Sequence, residues 1–225
     1  MNKIVPITIS WSITILIPFI ILMTVIRLLI LTPVYTMIEY RMPGFPDDPY
    51  GFSMEERLQW ALPTINYLVN REDVSYLENL KFEDGESVYN NREVPHLVDV
   101  KLLVKLTLKV WVGGIIYLII VSLFLFYTGN REALRKGYQT GGWFTVGLVL
   151  SILLFVVLNF DRLFTYFHYL FFEGDTWLFF ASDTLIRLFP LRYFQDLFIT
   201  VGLFTLLIGL LLGLSLSRVR KNECN

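Results

Sequence analysis

The side chains most often used for nucleophilic or metal chemistry are scarce in this sequence, which holds one cysteine and two histidines in 225 residues. It has no G-x-S-x-G elbow, no H-E-x-x-H pair, no P-loop and no Rossmann glycine fingerprint. These absences exclude the common serine hydrolases, zincins and nucleotide-binding enzymes. With two histidines, a zinc site needs two or more carboxylates as further ligands, a set the sequence signals only weakly. No metal and no cofactor is therefore expected. The lone cysteine, Cys224, is followed by a single residue and does not form a C-a-a-X prenylation site. Nothing in the sequence suggests nucleic-acid binding, so no nucleic-acid partner is expected. No internal repeat or low-complexity tract is present.

Charge is the most telling shortage. Four stretches are nearly free of it: Ile7 to Leu31, Leu103 to Tyr127, Gly141 to Asn159 and Leu197 to Leu216. Each has roughly 20 or more residues, enough to cross about 30 Å of hydrocarbon. A composition of 55% hydrophobic and 16% aromatic residues fits a membrane protein and not a soluble domain. Lys3 precedes the first stretch, but the apolar run outlasts the roughly 7–15 residues of a signal h-region and no A-x-A-like site follows. It is expected to be a retained helix, kinked at Pro18, with Arg27 snorkelling to the outer interface. So little charge inside the spans argues against a proton-coupled transporter or pump.

The basic residues set the orientation. Arg131, Arg135 and Lys136 lie between the second and third spans, Arg218, Arg220 and Lys221 follow the fourth, and Lys3 precedes the first. By the positive-inside rule all three segments, and with them both termini, face the cytoplasm. The expected fold class is an α-helical membrane protein: a four-transmembrane-helix bundle with a small α+β extracytoplasmic cap between helices one and two. The expected division is an N-terminal region with the first transmembrane helix at 1–31 and the cap at 32–102. The second helix follows at 103–127, a cytoplasmic loop at 128–140 and the third helix at 141–159. An outer aromatic-rich segment occupies 160–196, the fourth helix 197–217 and a cytoplasmic tail 218–225. With Cys224 in that tail, the outer segments have neither a disulfide nor a cysteine nucleophile.

Inside the cap, the run Arg41-Met-Pro-Gly-Phe-Pro-Asp-Asp-Pro-Tyr50 is a turn-rich entry. Ser53-Met-Glu-Glu56 is a capping box opening an amphipathic helix, with Leu58, Ala61, Leu62, Ile65 and Leu68 on its buried side and Pro63 as a candidate break. Leu77 to Tyr89 alternates around Asp84-Gly85, the pattern of a hairpin. The second outer segment crowds Phe164, Phe167, Phe171, Phe172 and Trp177 around His168, a density beyond what interfacial anchoring requires.

Both histidines fall at outer membrane boundaries. His96 precedes the second span in Arg92-Glu-Val-Pro-His-Leu-Val-Asp99, and with Pro95 in the first helical turn both Glu93 and Asp99 share its face. His168 follows the third span, and on a continuing helix it shares a face with Asp161, Phe164, Thr165, Phe171 and Phe172. A histidine at an interface commonly serves as a structural hydrogen-bonder. Two of them on one side of the membrane equally suit an acid–base pair working near neutral pH.

Three segments resemble the lipoprotein intramolecular transacylase family, Lit. They are Asn91-Arg-Glu-Val-Pro-His-Leu-Val-Asp-Val-Lys101, Asn159-Phe-Asp-Arg-Leu-Phe-Thr-Tyr-Phe-His-Tyr-Leu-Phe-Phe-Glu-Gly-Asp-Thr-Trp177, and Asp183-Thr-Leu-Ile-Arg-Leu-Phe-Pro190. The likeness covers nearly the whole chain; E-x-x-H-x-x-D-V-K and F-H-x-x-F-F-x-x-D-x-W are specific together and weak apart. Leu97 stands where the family pattern leads one to expect methionine, a volume-conserving change.

The resemblance implies an enzyme of the bacterial cytoplasmic membrane acting on diacylated lipoproteins. It would move the sn-2 acyl chain from the glyceryl oxygen to the α-amino group of the N-terminal cysteine, giving the lyso-form lipoprotein. His96 and His168 match the family's catalytic histidines at the cap–membrane interface. On that footing His168 is assigned as base and His96 as acid and oxyanion stabiliser, a pairing that can be reversed. Glu93, Asp99, Asp161 and Asp175 are candidate orienting residues, and Phe164, Phe167, Phe171, Phe172 and Trp177 candidate walls of a lipid-binding site. Two other readings stand beside it. One is a membrane acyltransferase or hydrolase on another lipid; the other is a non-catalytic protein whose acidic cap binds a partner.

Overall fold

The computed structural model describes residues 4–29 and 32–223, with side chains to 215. Lys3 and Cys224 lie outside the described residues, as do the end of the first span at Leu31 and the side chains of Arg218, Arg220 and Lys221. The described residues form eight helices and no strand: α1 (Ile4–Leu29), α2 (Pro33–Glu39), α3 (Met54–Val69), α4 (Ser75–Glu78), α5 (Glu93–Tyr127), α6 (Arg131–Phe171), α7 (Thr184–Leu188) and α8 (Leu191–Glu223). Four of them, α1, α5, α6 and α8, are long and apolar enough to cross a membrane.

The chain divides into two compact units. The first comprises Met1–Ile26, Leu108–Val157 and Ile199–Asn225, and it is built by close helix approach. Ile13, Ile17 and Ile21 recur every fourth residue on the buried stripe of α1. They meet a face of α6 made by Gly137 and Gly141, where an added Cβ would stand 3.1 Å from the Ile13 Cβ and 2.8 Å from the Ile17 Cβ. At the crossing of α6 with α8 the backbones themselves touch: a Cβ on Gly142 would lie 2.7 Å from the Gly213 nitrogen and 2.8 Å from the Gly209 carbonyl oxygen. Small residues four apart, at 137 and 141 and at 209 and 213, are what lets apolar helices approach when lipid is as hydrophobic as the helix surface. Polar side chains add ties: the Thr14 hydroxyl donates to the Gly137 carbonyl at 3.1 Å, and the Trp111 indole to Thr24 Oγ1 at 3.1 Å.

The second unit comprises Arg27–Thr107 and Leu158–Phe198. Its α3 begins with the expected capping box: Ser53 Oγ accepts from the Glu56 amide at 3.2 Å, and Glu56 Oε2 accepts from the Ser53 amide at 2.7 Å. Two expectations need correction. Pro63 does not divide α3, which runs unbroken to Val69. Nor is the cap α+β: among the described residues the hairpin is reduced to one antiparallel bridge, Lys81↔Ser87. Asp73 is the reason on one side, because its carboxylate accepts from the amide and hydroxyl of Ser75. That local bonding starts a helical turn and takes Leu77 out of the alternating run. What survives is the Asp84-Gly85 turn, with Gly85 at φ +86°, and the short pairing beside it, where the Phe82 amide donates to the Glu86 carbonyl and the Val88 amide to the Leu80 carbonyl.

Long-range polar contacts then gather the segments of this unit. Arg187 donates through Nε and one terminal nitrogen to Asp48 Oδ2 at 3.0 and 2.9 Å, with its guanidinium 3.4 Å from the centroid of Phe52. The Tyr40 hydroxyl donates to the Leu188 carbonyl at 2.7 Å. The buried Lys101 ammonium donates to Asn70 Oδ1 and to the Glu72 carbonyl, binding α5 to the end of α3.

Candidate active site

Every candidate catalytic, orienting or wall residue named from the sequence belongs to the second unit. The start of α5 positions His96. There Asn90 Oδ1 accepts from the amides of Arg92 and Glu93, while Glu93 Oε2 accepts from the Asn90 amide at 2.8 Å. This reciprocal cap fixes the first turn, and Pro95 occupies it without loss of a bond. The other oxygen of Glu93 accepts from the Leu185 amide at 2.6 Å. Nearby, Asp183 accepts from Asn90 Nδ2, Arg92 and the Phe180 amide. The beginning of α5 is thus tied to the segment that leads into α7.

The other histidine depends on a break. Asn159 leaves the helical region at φ −162°, ψ 76°, and its side chain accepts from the Arg162 amide. It acts as an N-cap within α6, so that residues 160–171 form a separately aimed helix. On that helix the ring of His168 faces inward, and its Nδ1 lies 2.7 Å from the carbonyl of Phe164. A carbonyl only accepts, so Nδ1 carries the hydrogen and Nε2 holds the free lone pair.

The two imidazoles stand with ring centroids 6.2 Å apart and planes 21° from parallel. Both are buried and both lie outside the charge-poor stretches at 103–127 and 141–159. Phe172 touches both rings, at 4.9 Å from His96 and 5.5 Å from His168. Phe164, Trp177 and Phe167 lie 4.1, 4.7 and 5.6 Å from His168. Phe171 packs on Phe167 but is largely exposed. Phe179, which the sequence reading did not single out, lies 5.2 Å from His96; as one aromatic among many in its segment, it carried no distinguishing signal.

The carboxylates behave differently from expectation. Asp99, Asp161 and Asp175 are exposed. Glu93 spends both oxygens on backbone amides. Among the described residues His96 Nδ1 is buried without a hydrogen-bond partner, so neither Glu93 nor Asp99 orients it. An i−3 or i+3 position placed both on the neighbouring face, but bonding to Asn90 and Leu185 claims the first and solvent the second. No grouping of three or more metal-ligating side chains occurs among the described residues.

With apolar rings around it, the pair is kept neutral. Burial, and next the neighbouring His168, push the His96 imidazole down to about 4. Burial also lowers His168, against an upward pull from its bond to the Phe164 carbonyl. The arrangement offers one imidazole with a free Nε2 as acceptor and a second, uncharged imidazole beside it, both packed among aromatic side chains.

Comparison with known proteins agrees in kind. The model of the family described as lipoprotein intramolecular transacylase Lit matches residues 11–194. A protein of Aquifex aeolicus (strain VF5), described as an uncharacterized protein, is 27% identical over 180 residues, 77% of each chain. The in meso structure of the membrane integral lipoprotein intramolecular transacylase Lit from Bacillus cereus has the same fold, with a TM-score of 0.82 at 23% identity over the whole of both chains. A histidine-to-alanine variant of that protein gives 0.76 at 20% identity, covering 98% of this chain and 96% of that one.

Proposed function

The chain belongs to the lipoprotein intramolecular transacylase Lit family, and from that premise we propose that it moves the sn-2 acyl chain of a diacylglyceryl-modified bacterial lipoprotein onto the α-amino group of the same molecule's N-terminal cysteine. The observation that carries this reading is the His96–His168 pair: two buried, uncharged imidazoles 6.2 Å apart, one with its tautomer fixed.

The chemistry needs little else. The cysteine amine has a reference pKa of about 7.7–8.0, so a usable fraction is free base at neutral pH. Its nitrogen attacks the ester carbonyl carbon, and the carbonyl electrons move onto oxygen. His168 Nε2 removes a proton from that nitrogen, now bonded to carbon. Collapse of the tetrahedral adduct breaks the bond to the glyceryl oxygen, which takes a proton from an imidazole, His96 in this assignment. The proton collected by His168 passes on to His96, so that both rings end neutral. Amine and ester become amide and alcohol, with no water, ATP or cofactor entering the balance, and the thioether is untouched. Since His96 is neutral near pH 7, it acts as a neutral N–H donor.

Rate is expected to come mostly from confinement. An amine and a distant ester on a flexible lipid must be held in one ring, and Phe164, Phe167, Phe172 and Trp177 supply rigid apolar walls for that; such positioning contributes up to about 7–11 kcal/mol in favourable cases. In this reading the substrate is held in the bilayer, both termini are cytoplasmic and the histidines face the extracytoplasmic side. Incubating the protein in mixed micelles with a synthetic diacylglyceryl lipopeptide tests it. Acylated cysteine nitrogen supports the transfer; acyl chain released into water or found on a second molecule refutes it.

A further inference from the structure

Trp177 carries a donor that nothing inside the protein uses. The residue is 8% exposed, yet its indole Nε1 is buried and has no hydrogen-bond partner among the described residues. A buried unpaired donor costs about 1–3 kcal/mol, and nine in ten or more buried polar groups avoid that cost by finding a partner. The ring lies directly against the imidazole, its centroid 4.7 Å from that of His168 and its plane 32° away, with Tyr169 edge-on at 5.4 Å on another side. If the site needed only an apolar wall, phenylalanine would serve, as it does at 164, 167 and 172. The second buried nitrogen without a partner around this pair of rings is His96 Nδ1. Two unused polar atoms therefore border the His168 ring, in a setting otherwise lined by phenylalanines.

We propose that the Trp177 indole N–H is the hydrogen-bond donor to the ester carbonyl oxygen as it becomes an oxyanion, a role that rests on the transacylase reading. The amine nitrogen adds to the carbonyl carbon, and the electron pair of the broken π bond settles on the oxygen facing Nε1. Trp177 gives up no proton; its N–H holds the charge until the adduct collapses and the pair returns to reform the carbonyl. A donor fixed by packing and unpaired in the resting protein is already oriented for that charge once the bound substrate displaces what covers it, and fixed donors of this kind contribute most. Trp177 is then a catalytic residue, not only a wall.

The test compares wild type with Trp177→Phe and with a variant carrying 3-benzothienylalanine at 177, whose sulfur replaces the N–H inside the same bicyclic shape. Each is assayed in mixed micelles with the synthetic diacylglyceryl lipopeptide for kcat and KM, and each is melted to establish that it is folded. The benzothienyl variant should melt like wild type and keep its KM, with kcat lower by about 10²–10³-fold. A benzothienyl variant within about threefold of wild type in kcat overturns the proposal, as does a raised KM with unchanged kcat. If Trp177→Phe loses activity and stability together while the benzothienyl variant is fully active, Trp177 is structural and the proposal fails. Wild type active on the lipopeptide keeps the transacylase reading standing through any of these outcomes; wild type inactive on it sinks that reading.

Discussion

The imidazole Nδ1 of His168 donates to the carbonyl of Phe164, 2.7 Å away and one helical turn earlier. That bond leaves Nε2 as the only lone pair the ring can offer, so it sets where a proton can be collected. Glutamine at 168 retains a polar group but not an imidazole Nε2. His168→Gln is expected to lower the transfer rate by about 10²–10⁴-fold, the usual range for a lost general base. A rate within about threefold of wild type in the micellar lipopeptide assay contradicts the assignment of His168.

Acid affects this site through the depressed pKa of His96. In the folded protein it falls to about 4, while in the unfolded chain it returns to about 6.5. Between those values the unfolded state binds the extra proton, so stability falls as pH falls through that window and levels off below it. Melting temperature in detergent should decline from about pH 6.5 to 4, with a shallower decline in His96→Gln. An equal slope in both proteins rules His96 out as the source.

The rate should follow a different group. With His96 pushed down to about 4 and His168 lowered by burial, the acidic limb of the pH–rate profile belongs to the substrate amine, at about 7.7–8.0. Single-turnover rates measured from about pH 5 to 9 are expected to climb until about pH 8. A plateau already reached near 6.5 points instead to an unshifted histidine.

Glu93 is expected to matter for folding. Alanine there strips the Asn90 and Leu185 amides of their acceptor. Leaving the buried Leu185 donor unpaired costs about 1–3 kcal/mol, and the part-buried Asn90 amide adds less. Thermal unfolding of Glu93→Ala should drop by several degrees, and Glu93→Gln, which keeps a carbonyl acceptor, should recover part of the loss. Identical melting of all three proteins shows that the tether contributes nothing.

Helix approach in the first unit predicts a contrast between two glycines. Gly142 meets the backbone of α8, whereas a Cβ on Gly113 meets nothing within 4 Å. Gly142→Leu should destabilise by roughly 1–3 kcal/mol through overpacking, and Gly113→Ala should be close to neutral. Equal melting temperatures for the two variants refute close packing at Gly142.

The membrane spans were readable because a shortage of charge over twenty residues leaves few alternatives. The Ser53 cap was readable because both of its partners lie within one turn. What escaped depends on contacts that sequence distance hides. Glu93 looked like an orienter of His96 by its i−3 spacing, but the Leu185 amide, far along the chain, claims one of its oxygens. Asn159 marked the end of a span, and nothing local announced that its side chain restarts the helix that aims His168. Asp73 drew the first residues of an expected hairpin, Leu77 and Glu78, into α4. The small-residue faces of α6 and α8 went unremarked, since a glycine's importance depends on which backbone approaches it. Family resemblance supplied the chemistry that residue types alone left open between a structural and a catalytic pair.

The central claim is an acyl transfer within one molecule, and fragmentation of the product tests it most directly. Transfer leaves the parent mass of the lipopeptide unchanged, so tandem mass spectrometry of its N-terminal fragments must locate each chain. Wild type is expected to place one acyl chain on the cysteine nitrogen and leave a free sn-2 hydroxyl, with His96→Ala and His168→Ala leaving both chains on the glyceryl group. Folded wild-type protein that leaves both chains on the glyceryl oxygens, or alanine variants that transfer as well as wild type, would contradict the account.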